Sequence, residues 1–385
     1  MFIDTTTTKK LFKLTFGKGY FHPRRMAFYA LCFTPYTTVW LLDAIGRALD
    51  EKLFPEYKET EVGEPIYIMA SPRSGTTLLH RLMSLDDQFT SYSLWQTLLP
   101  TLSAYKSVDA LSALDERLGR PLDRLQNAAA TYFFRGWDGI HTTRFNEAEE
   151  DEGIFALHMA TPSIWLAWPF IDELSRVAYI DELDIREKTS EFYRGTIQRH
   201  MWHEAQQGNE HKTLLLKNVF NAGRLGVITD AAPNARFVNI IRHPYRTIGS
   251  LMSFFTVPWR YHSPDIAIDG PQAQKFARVA MDYALTTHRF MKELPEERGI
   301  TIRYEDLIEN PEREILKIYD RFGLEASEQF RKTLHDAVSE QRNYTSKHRY
   351  SLEDFGLSED LVYNELKEIF DDWDLPRHPE SLDAL

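Results

Sequence analysis

Residues 71–77 read Ser-Pro-Arg-Ser-Gly-Thr-Thr and follow a short apolar run, Pro65-Ile-Tyr-Ile-Met-Ala70. A strand feeding a small polar turn and then a helix presents successive backbone N–H groups to an oxygen-rich anion. Gly75 permits close backbone approach, and Ser74, Thr76 and Thr77 add hydroxyl donors. Nucleoside triphosphatases place a lysine directly after the last glycine of such a loop, to reach the β and γ phosphates. Here Gly75 is followed by Thr76, and the cation of the turn is Arg73, before the glycine. A second segment, 235–255, has a buried-strand pattern ending at Arg242, then Pro244 opening a helix that carries Ser250. Ligands of open α/β sheets sit outside the carboxyl ends of the strands, so Arg242 and the first turn belong on one rim. Two phosphate positions without the lysine describe a ligand other than ATP.

The paired patterns S-P-R-S-G-T-T and R-x-P-x-x-x-x-x-S resemble those of sulfotransferases that use 3′-phosphoadenosine 5′-phosphosulfate (PAPS). The resemblance extends to Leu214-Leu-Leu-Lys-Asn218, to 303–311 (RYEDLIENP) and to 348–358 (HRYSLEDFGLS), the last similar to the bacterial branch. It implies a phosphosulfate cradle at Ser74, Gly75, Thr76 and Thr77, with Arg73 beside the transferred group. It further implies a 3′-phosphate site at Arg242 and Ser250, Tyr304 near the adenine, and Lys217 close to the moving sulfonate. The activity implied is metal-free, in-line transfer of a sulfonate from PAPS to a hydroxyl, or an amine, of a small or lipid-like acceptor. Cations on either side of the reacting centre would stabilise the charge that grows as the bond breaks. Arg73 and Arg242 must then lie close enough for one nucleotide to bridge them.

An alcohol acceptor must lose its proton, which calls for a positioned base. Familiar cytosolic members use a histidine just after the lysine, whereas this chain has Asn218 and Asn221 in that neighbourhood. The candidates are His141 and Glu150, in the stretch 139–155; His141 is the slightly better choice. Glu150 belongs to the run Glu149-Glu150-Asp151-Glu152, with Asn146 and Glu149 at capping-box spacing. Such a run mostly reads as a solvated first turn favoured by the helix dipole. The pair His200 and His203 reads as a helix-surface pair rather than a metal site, because no third ligand stands at suitable spacing.

Four runs, 65–70, 212–217, 236–241 and 299–304, are continuously apolar, as expected of strands buried on both faces of a parallel sheet. Helical patterns lie between them. In 310–324, for example, Asn310 can cap, Pro311 suits the first turn, and Ile315, Ile318, Tyr319 and Phe322 form one face before Gly323. The fold class is therefore α/β: a doubly wound, P-loop-like parallel sheet with helices on both faces. Residues 1–61 read as a helical arm packed on a sulfotransferase domain, 62–385, whose helical insertion spans about 92–211. The interval 78–211 offers no clear strand. Its aromatic stretches, such as 162–170 (PSIWLAWPF), tilt the acceptor toward an apolar molecule.

Net charge is −12, the wrong sign for a protein that grips nucleic acid through counterion release. With one cysteine, Cys32, no intrachain disulfide or cysteine-based zinc site can form, which fits a reducing, cytoplasmic setting. Residues 26–42 carry no charge but include Pro35 and three threonines. They read as part of the packed arm, or else as an interfacial helix that touches a membrane peripherally beside Arg24 and Arg25. Two rival functions share the same motifs. A nucleotide kinase would need magnesium and ATP, and a non-catalytic relative would bind nucleotide or membrane without transfer.

Overall fold

A computed structural model of the chain describes residues 4–121, 148–341 and 351–378. Its centre is a five-stranded, all-parallel sheet of β1 (Ile66–Ala70), β2 (Phe89–Thr90), β3 (Thr213–Lys217), β4 (Arg236–Ile241) and β5 (Gly299–Arg303), ordered β2-β3-β1-β4-β5. The four apolar runs are four of these strands. Side chains alternate between faces along each one. Ile66, Ile68, Leu215, Val238 and Ile240 pack with Leu79, Leu82, Ile315 and Ile318 on one face. Tyr67, Met69, Leu214, Leu216 and Phe237 pack with Tyr193, Ile197, Val227 and Ile228 on the other. Both faces are covered by helices, so the expected doubly wound α/β architecture holds.

β2 is an addition to the expected set. This two-residue edge strand pairs Phe89 with Thr213 and Thr90 with Leu214, inside the interval that shows no strand pattern. The helix Pro311–Phe322 forms as its sequence implies: the Asn310 side chain accepts from the Arg313 N–H at 3.0 Å, and Gly323 closes it at φ +64°. The aromatic stretch 162–170 is largely core, with Trp165 and Phe170 buried among Phe276, Trp259 and Leu174 and Trp168 half-buried against them.

Two helices precede the sheet, α1 (Thr5–Phe16) and α2 (Pro23–Leu53). Near its start α2 is held by Arg25, fully buried, whose Nε donates to Ser263 Oγ at 2.7 Å and whose Nη2 pairs with Asp265. Near its end Asp50 accepts from the Leu102 N–H at 2.8 Å and from Arg199 Nε at 2.9 Å.

Candidate active site

The strand order decides what stands beside the first turn. β1 lies between β3 and β4, so the loop leaving β1 is flanked by whatever ends its two neighbours: Lys217 on one side, Arg242 on the other. A reversal of winding of this kind opens a crevice at the carboxyl ends of the strands.

The loop 71–75 leads into α3 (Thr76–Met83). Gly75 sits at φ +83°, and a Cβ there would lie 3.1 Å from the Tyr304 ring. Arg73 also adopts a positive φ, +70°, which costs a non-glycine residue about 1–2 kcal/mol. Its carbonyl, thus turned, accepts from Arg242 Nη1 at 2.7 Å. The guanidinium of Arg242 lies over the Tyr304 ring, 3.9 Å from its centroid. Arg73, Gly75, Arg242 and Tyr304 therefore form one contiguous rim, and the distance between the two arginine segments is no obstacle to a bridging nucleotide. The Arg73 side chain is exposed, while Ser250 is half-buried in the second turn of the helix Pro244–His262.

Among the described residues, two polar atoms on this rim are buried without a partner, Ser74 Oγ and Arg242 Nε. Unsatisfied buried donors are costly, and here they stand beside a helix N-terminus, where an anion would satisfy them. Burial lowers the pKa of Arg242, with Arg246 and Arg73 adding to that pull.

On the opposite flank Lys217 is 1% exposed. Its Nζ donates to Thr77 Oγ1 at 3.2 Å and pairs with Glu150 Oε1 at 2.8 Å. Thr77, Lys217 and Glu150, singled out separately in the sequence, are brought together. Directly beneath, buried His80 is pushed down to about 3 by desolvation and by the Lys217 charge, so it stays neutral. His141 and Asn146 lie outside the described residues.

The acidic run is not a solvated first turn. Asp151 is fully buried, accepting from Tyr193 Oη and, at 2.7 Å, from Asn218 Nδ2. Glu152 accepts from the same amide nitrogen at 3.0 Å, from Arg224 Nη2 at 2.8 Å, and from Thr161 Oγ1. Arg224 in turn donates to Asn221 Oδ1 at 3.0 Å. The helix dipole is too weak to explain this arrangement; buried donors from three other segments do. Asn218, the residue next to Lys217, clamps the two residues that follow Glu150, and so places Glu150 against Lys217. Sequence reasoning passed over this clamp, although the amide directly after the lysine was its visible sign.

His200 and His203 are buried rather than on the surface. His200 Nε2 bonds Thr90 Oγ1 at 3.0 Å and His203 Nε2 bonds Asp109 at 2.9 Å, each serving a different neighbour. Residues 348–350 lie outside the described residues, whereas Leu352, Phe355 and Leu357 of the same segment are buried in the core.

The sulfotransferase family pattern matches residues 65–328, more than half of the chain. The chain belongs to the sulfotransferase family. It is 24% identical over 349 residues to the omega-hydroxy-beta-dihydromenaquinone-9 sulfotransferase Stf3 of Mycobacterium bovis, covering 88% of this chain and 81% of that protein. The Stf3 of Mycobacterium tuberculosis matches equally. Among solved structures, the fold is similar to sulfotransferase STF1 of Mycobacterium tuberculosis, with TM-score 0.67, 20% identity, and 94% and 91% of the two chains covered. Sulfotransferase STF9 of Mycobacterium avium gives the same TM-score at 17% identity, covering 86% and 82%.

Proposed function

We propose that this sulfotransferase takes its sulfonate from PAPS and delivers it to a hydroxyl, or an amine, of a small or lipid-like acceptor, with Glu150 as general base. The observation that carries this reading is the contact chain Thr77–Lys217–Glu150, which joins the anion-binding loop to a carboxylate through one buried ammonium. PAPS supplies a sulfonate on an oxygen that departs with the 5′-phosphate. Ser74, Gly75, Thr76 and Thr77 bind that phosphate end through N–H and hydroxyl donors. Arg242 and Ser250 hold the 3′-phosphate, Tyr304 lies by the base, and Arg73 stands at the mouth of the loop. Lys217 sets its charge beside Thr77, where negative charge grows during transfer. Glu150 accepts the acceptor's O–H proton as the acceptor oxygen attacks sulfur.

The lipid-like acceptor draws support from Stf3, whose name specifies a menaquinone derivative. Thermal unfolding without added metal provides the test. Adenosine 3′,5′-bisphosphate should raise Tm more than ADP or ATP, and Arg242→Ala should remove most of that advantage. Greater stabilisation by ATP would overturn the donor assignment.

A further inference from the structure

We propose that the outer surface of α1 and α2 docks on an anionic lipid bilayer, lying flat on it rather than crossing it. In α1 the inward face is Thr7, Leu11 and Leu14. The outward residues Lys9, Phe12, Lys13 and Phe16 follow the i, i+3, i+4, i+7 pattern of a single helix face. Phe12 is 67% exposed, and its ring meets that of Phe16 at 4.7 Å. Such a face, with aromatic rings between lysines, presents both groups that a charged interface takes up.

The middle of α2 is more unusual. Between Tyr29 and Asp43 not one residue is buried, although the stretch includes Leu31, Phe33, Trp40, Leu41 and Leu42. Leu31 is 75% exposed, and an apolar stripe continues through Leu42, Ile45 and Leu49 on the outer side. From Leu31 to Leu49 the stripe runs about 27 Å along the axis. Exposed apolar surface on this scale marks an interaction site. Among the described residues no helix is long and apolar enough to cross a membrane, which leaves an in-plane contact.

Charge selects the occupant. From Thr5 to Leu42 the sequence has no acidic residue and six basic ones, in a chain whose net charge is −12. Arg25 is buried and consumed by its pair with Asp265, but Lys9, Lys13, Lys18 and Arg24 are exposed. A second copy of the chain docking through the same face would set these cations against each other, whereas anionic headgroups complement them. The inference does not depend on the donor or the base, because its test measures no transfer.

Sedimentation of the full chain with phosphatidylcholine vesicles, with and without phosphatidylglycerol, is the test. The protein should bind the anionic vesicles, lose binding as salt rises, and bind the neutral ones far less. Each lysine removed should weaken binding roughly five-fold, so K9E/K13E/K18E should cost a hundred-fold or more. Leu31→Glu with Phe33→Glu should also abolish binding. All five side chains are exposed, so each variant should keep the wild-type Tm and donor-nucleotide binding. Equal partitioning onto both vesicle types, binding to neither, or a dimer that L31E/F33E dissolves would each overturn the proposal.

Discussion

Lys217→Met is the most informative single change, because it keeps most of the buried stem and removes only the ammonium. Two effects compete. Losing one preorganised donor at a reacting centre slows turnover by about 10²–10³, or roughly 2.7–4 kcal/mol of barrier. Breaking a fully buried ion pair costs about 3–5 kcal/mol of stability because the surviving charge is stranded. Glu150, however, is 21% exposed, so water can solvate its carboxylate once Lys217 is gone. The stability loss should therefore fall to about 1–3 kcal/mol, which a domain with an ordinary margin of about 5–15 kcal/mol survives. The variant should be folded at 25 °C with a lower Tm, and slow. Initial rates at saturating donor, read as release of the bisphosphate product, measure the loss. A cycle with Glu150→Gln then asks whether the pair works as a unit. If it does, the double variant is about as slow as the slower single one; independent contributions would multiply. A Lys217→Met enzyme within about five-fold of wild-type turnover would refute the role given to this side chain.

Two further changes probe the frame around the site. Gly75→Ala forces a Cβ to 3.1 Å from the Tyr304 ring at φ +83°; it should cost about 1–2 kcal/mol in backbone strain and, by displacing the ring under Arg242, weaken bisphosphate binding about tenfold or more, measured by calorimetry. Asp151 is raised from 3.8 to about 6, mainly by burial, so between those values the folded protein holds a proton that the unfolded chain has released. Stability contributed by this group is thus present below pH 3.8 and falls as pH rises to about 6, by up to about 3 kcal/mol. Asp151→Asn should flatten that slope in urea unfolding measured across the same pH range, and an unchanged slope would remove Asp151 as its source.

What the sequence disclosed and what it withheld follow from the range of the interactions involved. β1, β3 and β4 were visible as mainly apolar runs because a strand covered on both faces needs no polar alternation, whereas β5, a part-buried edge strand carrying Thr301 and Arg303, shows the pattern less cleanly. Arg73, Gly75 and Arg242 stood out because a glycine-containing strand-to-helix turn and a strand-end arginine are local patterns. β2 was not, since two residues at a sheet edge carry no period and are defined only by pairing with Thr213 and Leu214. The acidic run misled for a related reason. A first-turn carboxylate has the same local sequence whether it meets water or a buried Asn218, and only the fold decides which. His200 and His203 gave the same difficulty: their spacing places both on one helix, but their hydrogen-bond partners, Thr90 and Asp109, come from elsewhere in the chain.

The loop that lacks a lysine is explained by its neighbours. In a sheet ordered β3-β1-β4, the residues ending the flanking strands reach the loop from both sides, so a cation need not be part of the loop. Lys217 reaches Thr77 from β3, and Arg242 reaches the Arg73 carbonyl from the end of β4. Lys217, at the end of β3, is instead held in place by burial and by its contacts to Thr77 and Glu150. Fixing the stem carries a benefit and a requirement. The ammonium does not have to be ordered when the ligand arrives, so less binding energy is spent on it. Yet a buried ammonium without a ligand needs a counter-charge, and Glu150 provides it at 2.8 Å. The counter-ion that makes the lysine tolerable before binding is the same carboxylate that the proposed function assigns as base, which is why Lys217 and Glu150 should be tested as one device rather than two.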